Sequence, residues 1–341
     1  MESADLYYDL PDRAIAQVPA EPRDSARLLD ATGPPTQPVH RRMWELADRV
    51  TPGDVIVVND TRVLPARLRL KKATGGAVEV LLLAPRQGRP GEWEALVGSA
   101  HRVASGTELA AVGMTVTVGA ELGDGRRAVV LDHPSHIDEM DAIQANGEVP
   151  LPPYIHRPLA DPDRYQTVYA QPPLQARSVA APTAGLHLTP GLFQRCVDQG
   201  ATIHAVELEV GLGTFKPIST SRVEDHHMHA ERYRVTSEVM DACQATGRVW
   251  AVGTTVVRAL ESAACRGELE GSTDLFIRPG FEFKVVDRLL TNFHLPRSSL
   301  LALVEAFMGP TWRRLYRTAL AEGYRFLSFG DAMLIDRRRS S

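Results

Sequence analysis

The segment Thr51–Lys72, TPGDVIVVNDTRVLPARLRLKK, contains the point at which the sequence changes from one type of domain to another. A turn at Pro52 and Gly53 precedes a continuous apolar run from Val55 to Val58, which predicts a buried strand. Because α/β sheets bind ligands at the carboxyl ends of their strands, we predict that the polar residues that follow this strand bind substrate. They are Asn59, Asp60, Thr61 and Arg62.

After Arg67 the pattern becomes one of short apolar runs separated by glycine-rich turns, with no good helix between them. The runs are Val78–Leu83, Trp93–Val97, Met114–Val118 and Arg127–Leu131. This spacing predicts a small β-barrel or sandwich inserted over residues 67–149, with Asn146–Pro153 as the linker that returns the chain.

Residues 150–341 alternate between helical and extended patterns, which predicts a layered α/β unit together with residues 1–66. The predicted helices are Asp12–Gln17, Pro190 to before Gly200 with Thr189 as its cap, a helix to Thr246 with Ser237 as its cap, Val256–Ala264, Ser298–Phe307 and about Thr311–Glu322. The predicted strands lie near Leu28, at 201–210, Val249–Val252, Leu289–Phe293 and Phe326–Phe329.

Composition indicates an ordinary globular protein, with 44% hydrophobic and 23% charged residues among 341 and a formal net charge of −4. A polyanionic partner would therefore need a local basic face. Strand alternation would place Arg67, Arg69 and Lys71 on one face, which we predict to bind RNA, although a plain solvated strand face fits the same pattern.

The three cysteines form no CxxC pair, which argues against a disulfide framework and a thiolate zinc site and favours a reducing cytoplasm. The amino terminus lacks an apolar signal region, and the longest apolar run, from Leu300, is short and carries Glu305. We therefore expect neither export nor membrane insertion.

The stretch Arg164–Tyr233 concentrates reactive side chains among glycines and prolines, as loops that line a site do. Its candidate site residues are Tyr165, Gln166, Thr183, Gly185, His187, Thr214, Lys216, His227, His229 and Glu231. His226 adds to the last cluster, but its spacing matches no usual zinc pattern, so an acid–base role is favoured over metal binding. A solvated polar loop remains the alternative.

The turn Gly253–Thr255 joins a predicted strand to a predicted helix, and its free N–H groups suit a phosphate or a carboxylate. A simple helix cap fits the same residues. His294 follows another strand in the sequence TNFHLP. These residues indicate an α/β enzyme with a polar, histidine-rich cleft, and they do not identify its reaction.

Long motifs over nearly the whole chain carry a family resemblance. They include YDLPDRAIAQ (8–17), PRDSARLL (22–29), VVNDTRVLPARL (57–68), VAAPTAGLHLT (179–189), VGLGTFKP (210–217), HHMHAERY (226–233), AVGTTVVRALES (251–262), FIRPGFEFKVVD (276–287) and TNFHLPRSSLLALVEAFMG (291–309). In these motifs the chain resembles the S-adenosylmethionine:tRNA ribosyltransferase-isomerases of queuosine biosynthesis.

The resemblance implies an α/β main domain with an inserted small β-barrel domain. It implies transfer of the ribosyl part of S-adenosylmethionine to 7-aminomethyl-7-deazaguanine at the tRNA wobble position, and its rearrangement to an epoxycyclopentanediol. Adenine and methionine would leave. S-adenosylmethionine would be the only co-substrate, with no metal and no redox cofactor, and we expect a cytoplasmic monomer without a membrane partner.

The same resemblance suggests a role for each candidate residue. His187 and either His227 or His229 would transfer protons, with Glu231 orienting the latter two. Three further groups would bind substrate: Asp60, Thr61 and Arg62 near the modified base or its phosphate; Gly253, Thr254, Thr255 and Arg258 at the methionine carboxylate or a phosphate; and Asn292 with His294 to complete the pocket.

Two alternatives remain open. In the inserted domain Gly98 and Ser99 stand where the family usually has Lys-Pro, and this change touches possible RNA contacts. A family member could transfer the ribosyl group to a small-molecule amine instead, or the chain could bind tRNA without catalysis.

Overall fold

The computed structural model of the chain describes residues 1–33, 38–86, 88–98, 102–172, 176–211, 217–245 and 247–338. The chain divides into two compact units. The first comprises Met1–Thr61, Pro152–Ala170 and Ala181–Ser341, and the second comprises Arg62–Leu151 and Gln171–Ala180.

The strands and helices of the described residues are numbered in chain order. The strands are β1 (Arg27–Ala31), β2 (Val39–Arg42), β3 (Val55–Asn59), β4 (Arg67–Lys72), β5 (Ala77–Pro85), β6 (Glu92–Val97), β7 (Glu108–Ala111), β8 (Met114–Gly123), β9 (Arg126–Asp132), β10 (Gly147–Glu148), β11 (Thr202–Leu208), β12 (Glu231–Arg234), β13 (Val249–Val252), β14 (Glu270–Thr273), β15 (Arg288–Asn292) and β16 (Ala332–Asp336). The α-helices are α1 (Glu139–Asn146), α2 (Pro190–Asp198), α3 (Ser237–Gln244), α4 (Thr254–Arg266), α5 (Ser299–Met308) and α6 (Trp312–Ala321).

The first unit is built on one mixed sheet with the strand order β14-β12-β11-β3-β13-β15-β16-β1-β2. Strands β11, β3, β13 and β15 run parallel to one another, so their carboxyl ends meet at one edge. Every residue of β3, β13 and β15 is buried, which explains the continuous apolar runs Val55–Val58 in β3 and Val249–Val252 in β13.

The second unit is a closed antiparallel barrel. Its strands follow the order β4-β5-β6-β9-β8-β7, and β7 pairs back with β4 through Lys71 and Lys72. Leu68 and Leu70 are buried while Arg69 and Lys71 are exposed, as the alternation in β4 predicts. With the mixed sheet of the first unit, this barrel confirms the predicted fold class.

The segment Gln171–Ala180 also belongs to the second unit, although it follows residues of the first. Leu64 donates its backbone N–H to the carbonyl oxygen of Ser178 at 2.8 Å, and Val63 forms an isolated parallel bridge with Ser178. Helix α1 lies in this unit too, and the sequence analysis did not predict it.

Several predicted elements differ from the structure. The helix predicted over Asp12–Gln17 is a short 3-10 helix, Asp12–Ala14. Helix α3 begins at Ser237 with Thr236 as its cap, because the Thr236 hydroxyl accepts from Val239 N at 3.3 Å.

The last strand of the first sheet is β16, whereas the sequence analysis predicted a strand over Phe326–Phe329. Leu327 has a φ of +68°, which is incompatible with an extended strand, so the backbone turns there. The helix predicted after Thr189 is confirmed as α2, because the Thr189 hydroxyl accepts from Leu192 N at 3.2 Å.

Among the described residues, every helix is too short or too polar to cross a lipid bilayer.

A buried carboxylate ties α4 to the segment before β15. Glu261 is 0% exposed, and its two oxygens accept backbone N–H groups from Lys284 at 2.8 Å and from Val285 and Val286 at 3.0 Å. Three donors that have no regular-structure partner are thereby satisfied, and the segment is fixed against the helix whose first turn faces the site.

Replacing Glu261 by Ala should lower the free energy of unfolding by about 3 kcal/mol or more, because it leaves three backbone donors without their acceptor. Urea denaturation measures the loss. The matched control is Glu282→Ala, in the same segment but exposed, which should change the stability little. Equal stabilities of the two variants would contradict the assigned role of Glu261.

Candidate functional site

A cavity in the first unit lies at the carboxyl ends of β13 and β15. Six of the predicted site residues line it: Thr183, Gly253, Thr254, Thr255, Asn292 and His294. The parallel strands bring them together, because Gly253 follows β13 and Asn292 ends β15. The cavity is therefore where an open α/β sheet is expected to bind its ligand.

Asn292 connects the two sides of this cavity. Its Oδ1 accepts from the Thr183 hydroxyl at 3.0 Å, and its Nδ2 donates to His187 Nε2 at 3.3 Å and to the carbonyl oxygen of Asp331 at 3.5 Å. Thr183 and His187 are the ends of one 3-10 helix, Thr183–His187. The amide thus holds that helix against the end of β15 and orients the imidazole.

His187 is a buried, neutral base. Burial lowers its pKa to about 4, and the cations Arg325 and Arg23 add to the shift. Its Nε2 accepts the Asn292 bond, so this nitrogen carries the lone pair in the neutral ring. A neutral imidazole at neutral pH can accept a proton.

His294 is also buried and neutral, since burial lowers its pKa to about 3. Its Nε2 lies 2.8 Å from the Thr291 hydroxyl, its backbone N–H donates to the Tyr316 hydroxyl at 3.0 Å, and its carbonyl oxygen accepts from the Tyr8 hydroxyl at 2.5 Å. These contacts fix the loop after β15, so His294 shapes the cavity wall.

The first turn of α4 points free donors at the cavity. Gly253 has a φ of +94°, a conformation that favours glycine, and it turns the chain from β13 directly into the helix. Thr255 is buried, with 7% of the residue exposed. Among the described residues its hydroxyl has no hydrogen-bond partner. A buried hydroxyl without a partner, next to the N–H groups of a helix start, indicates a place for a ligand oxygen.

Gly185 has a packing role. A Cβ at this position would lie 1.9 Å from the Tyr169 hydroxyl, so no other residue fits without displacing the ring. Burial raises the pKa of Tyr169, and the charge of Asp60 adds to this rise.

The predicted pairing of Glu231 with the histidines gives way to another contact. Glu231 and Arg258, each with a side chain 5% exposed, form a buried ion pair, and Glu231 Oε1 also accepts from Gly211 N at 2.8 Å. Arg258 Nε donates to the carbonyl oxygen of Leu275 at 3.2 Å. The ion pair with Glu231 makes Arg258 part of the framework that joins β12 to α4, and its binding of a substrate anion stays a prediction.

His227 and His229 lie on the surface in the loop before β12, so they are open to solvent and to a partner. His226 packs its ring edge against Phe276, with centroids 5.5 Å apart. Among the described residues, no three potential metal ligands lie together.

The polar residues after β3 separate into different roles. Asn59 is 0% exposed; its Nδ2 donates to the carbonyl oxygen of Leu208 at 3.0 Å, and its Oδ1 accepts from Thr61 N at 3.1 Å. Asn59 therefore joins β3 to β11, and its amide is used within the sheet. Arg62 belongs to the second unit and donates to the carbonyl oxygen of Gln171 at 3.3 Å.

The remaining candidates lie as follows. Tyr165 and Gln166 are buried, with the Tyr165 ring edge on Phe329 and the Gln166 carbonyl oxygen accepting from Arg23 at 2.9 Å. Thr214 and Lys216 lie outside the described residues.

The predicted RNA-binding face on β4 carries carboxylates beside two of its cations. Arg67 lies 3.7 Å from Glu79, and Arg69 lies 3.0 Å from Glu148. Lys71 is exposed.

The sequence analysis missed the groups around His187. Arg23, Arg325 and Asp331 come from distant parts of the chain, and only folding places them beside the imidazole. Arg23 lies in the motif PRDSARLL, and Arg325 and Asp331 lie in YRFLSFGDAMLI (324–335), which also matches the family, so the family resemblance was the one signal available.

The comparisons with known proteins agree over nearly the full length. The queuosine biosynthesis protein family matches residues 3–335. An S-adenosylmethionine:tRNA ribosyltransferase-isomerase of Thermus thermophilus is 48% identical over 98% of this chain and 100% of its own length, and one of Rubrobacter xylanophilus is 47% identical over 98% of each. A crystal structure of S-adenosylmethionine tRNA ribosyltransferase from Thermotoga maritima is 34% identical, with a TM-score of 0.54, and the match covers 97% of this chain and 99% of that one. The chain therefore belongs to the S-adenosylmethionine:tRNA ribosyltransferase-isomerase family of queuosine biosynthesis.

Proposed function

We propose that the protein transfers the ribosyl part of S-adenosylmethionine to 7-aminomethyl-7-deazaguanine at the wobble position of tRNA and isomerises it, giving epoxyqueuosine-tRNA, adenine and methionine. The observation that carries this proposal is the 48% identity, over the full length of the relative, to an enzyme named for this activity. S-adenosylmethionine is the only co-substrate, without a metal or a redox cofactor, and the protein acts as a monomer in the cytoplasm, where its tRNA is found.

The chemistry needs a base beside the sulfonium, an uncharged amine as nucleophile and a proton donor for the departing adenine. His187 serves as the base; this assignment is supported by its neutral imidazole and by its bond to Asn292, which lines the cavity. His227 or His229 supplies the proton to adenine once the bound substrates cover the loop. Four further residues bind substrate in this proposal: Asp60, Thr61, Tyr165 and Gln166.

The methionine carboxylate binds at the first turn of α4. The N–H groups of that turn and the Thr255 hydroxyl are all donors, and the helix dipole adds a partial positive charge. This assignment is supported by the buried Thr255 hydroxyl, which has no partner among the described residues.

The tRNA substrate must present its wobble base outside the anticodon stack. Unstacking costs about a few kcal/mol, and least where the strand is already single. Arg67, Arg69 and Lys71 on the barrel remain the predicted contacts to the RNA backbone.

Adenine release separates this function from its two alternatives. Incubation with S-adenosylmethionine and tRNA that carries the aminomethyl base should yield free adenine and a mass gain on the RNA. Adenine formed with a small amine alone would establish the small-molecule activity instead. Retention of tRNA without adenine would establish a non-catalytic binding protein.

Replacing His187 by Ala should abolish adenine release while S-adenosylmethionine binding stays measurable, because the base is lost and the carboxylate site is kept. His204→Ala, a histidine on β11, is the matched control and should retain turnover. Unchanged turnover of the His187 variant would remove this residue from the mechanism.

The protonation state can be measured directly. Because burial lowers the folded-state pKa of His187 to about 4, its imidazole resonance should not titrate between neutral pH and mildly acidic pH. The His187→Ala variant identifies which imidazole resonance belongs to His187. A titration midpoint of that resonance near the ordinary histidine value of about 6.5 would contradict the buried, neutral base.

Thr255→Val should raise the dissociation constant of S-adenosylmethionine about tenfold, because the carboxylate loses a hydroxyl donor. Its melting temperature should stay unchanged, since the hydroxyl has no partner to lose among the described residues. Calorimetric titration measures the dissociation constant, and thermal melting measures the melting temperature.

Thr236→Val is a control that should show the opposite result, a loss of stability without a loss of binding. It removes the cap of α3 and should lower the free energy of unfolding by about 1 kcal/mol without weakening ligand binding. If Thr255→Val destabilises the protein as much as Thr236→Val and leaves binding intact, the carboxylate does not bind at α4.

A further inference from the structure

A second cavity of the first unit is lined by three arginines from separate elements. They are Arg27 on β1, Arg42 at the end of β2 and Arg325 in the segment between α6 and β16. Sheet pairing brings the first two together, since Arg27 lies opposite Arg42 in the antiparallel ladder. Three cations that converge on one concave surface indicate a ligand with negative charge.

Backbone carbonyls hold the three guanidinium groups in place. Arg27 Nη1 donates to the carbonyl oxygen of Glu322 at 2.6 Å, Arg42 Nη1 to that of Ser25 at 2.8 Å, and Arg325 Nη1 to that of Val18 at 3.2 Å. The Arg27 guanidinium also lies 3.8 Å from the centre of the Tyr324 ring. Such bonds orient the groups without neutralising their charge, so further N–H donors stay available for an anion.

Two carboxylates line the same cavity, and one of them, Asp331, is paired with an arginine of the lining. Asp331 accepts backbone N–H groups from Arg27 at 2.9 Å and from Arg325 at 2.8 Å, and it lies 3.7 Å from the Arg325 side chain. Glu21 is mostly exposed and lies 3.1 Å from Arg164. The three arginines therefore outweigh the carboxylates, and the lining keeps a positive charge.

One residue separates this cavity from the site. The Asp331 carboxylate faces the arginine cavity, while its carbonyl oxygen accepts from Asn292, which also donates to His187. Arg325 lines the cavity, and its charge contributes to lowering the pKa of His187. A ligand group bound in the arginine cavity would thus belong to a molecule that extends from the site.

An exposed aromatic side chain lies beside the cavity. Trp44 is 45% exposed, and the Arg42 guanidinium lies 5.9 Å from the centre of its ring. An exposed indole beside arginines is the arrangement on which proteins stack unpaired nucleic-acid bases.

We propose that the arginine cavity binds a backbone phosphate of the RNA substrate, and that Trp44 stacks an unpaired base next to that phosphate. This proposal rests on the proposed function, since it takes tRNA as the substrate whose wobble base enters the site. It adds a second RNA-contacting surface, on the first unit, to the face predicted on the barrel.

The double variant Arg27→Gln/Arg42→Gln tests the cavity by RNA binding alone. Its dissociation constant for the tRNA should rise about tenfold at low salt, and the slope of log K against log salt should fall by about 0.7 to 0.9 per lost phosphate contact. Binding is measured by fluorescence anisotropy across a salt series, with S-adenosylmethionine binding as the check that the protein is folded.

Two further variants separate charge from packing. Arg27→Lys/Arg42→Lys keeps both charges and should recover most of the salt slope. Trp44→Ala should weaken binding about tenfold and leave the salt slope unchanged, because stacking releases no counterions.

The matched control is Arg232→Gln/Arg266→Gln, with Arg232 on β12 and Arg266 at the end of α4, both beside the opposite edge of the same sheet. If the cavity variant binds tRNA with the same affinity and salt slope as this control, the proposal is overturned. Absence of adenine from the wild type would instead overturn the proposed function, and the binding measurements would still decide the role of the cavity.

Discussion

The geometry of the site depends on one buried amide, that of Asn292. It ends a fully buried strand, where each of its polar atoms must find a partner. Its partners are Thr183, His187 and the backbone of Asp331. Thr183 and His187 precede Asn292 by more than a hundred residues, and Asp331 follows the last helix. Because a single side chain joins these segments, the position of the imidazole is set by the end of β15 and not by its own short helix.

The parts of the fold that local patterns determine could be predicted from the sequence. Strands such as β3 and β13 are apolar runs because both of their faces are buried, and Thr189 followed by Pro190 is a clear helix start. The edge strand β2 and the return of Gln171–Ala180 to the second unit could not be predicted in this way. β2 pairs with the preceding strand β1, but its residues show neither alternation nor a continuous apolar run, and Ser178 pairs with Val63, which is distant in sequence.

The candidate site shows the same division. Residues at strand ends, such as Gly253 and Asn292, could be predicted because parallel strands bring their carboxyl ends together. The partners of charged groups could not be predicted. Glu231 forms an ion pair with Arg258, because strand pairing places β12 between β14 and β11, and both of these strands contact the helix that carries the arginine. Spacing along the chain gives no information about such a contact.

The distribution of charge around the site suits a substrate that carries both signs. Among the described lining residues of the first cavity, none has a formal charge. Its His294 is held neutral, and so is His187, which bonds to the lining residue Asn292. A sulfonium cation would be repelled by an arginine at contact distance, since two unit charges 4 Å apart interact by about 4 kcal/mol near a protein surface. A helix start provides donors for the carboxylate without adding a full positive charge. Arg27 and Arg42 line the other cavity, beyond Asp331, where they can meet a phosphate, whereas the charge of Arg325, which lines the same cavity, also helps to lower the pKa of His187.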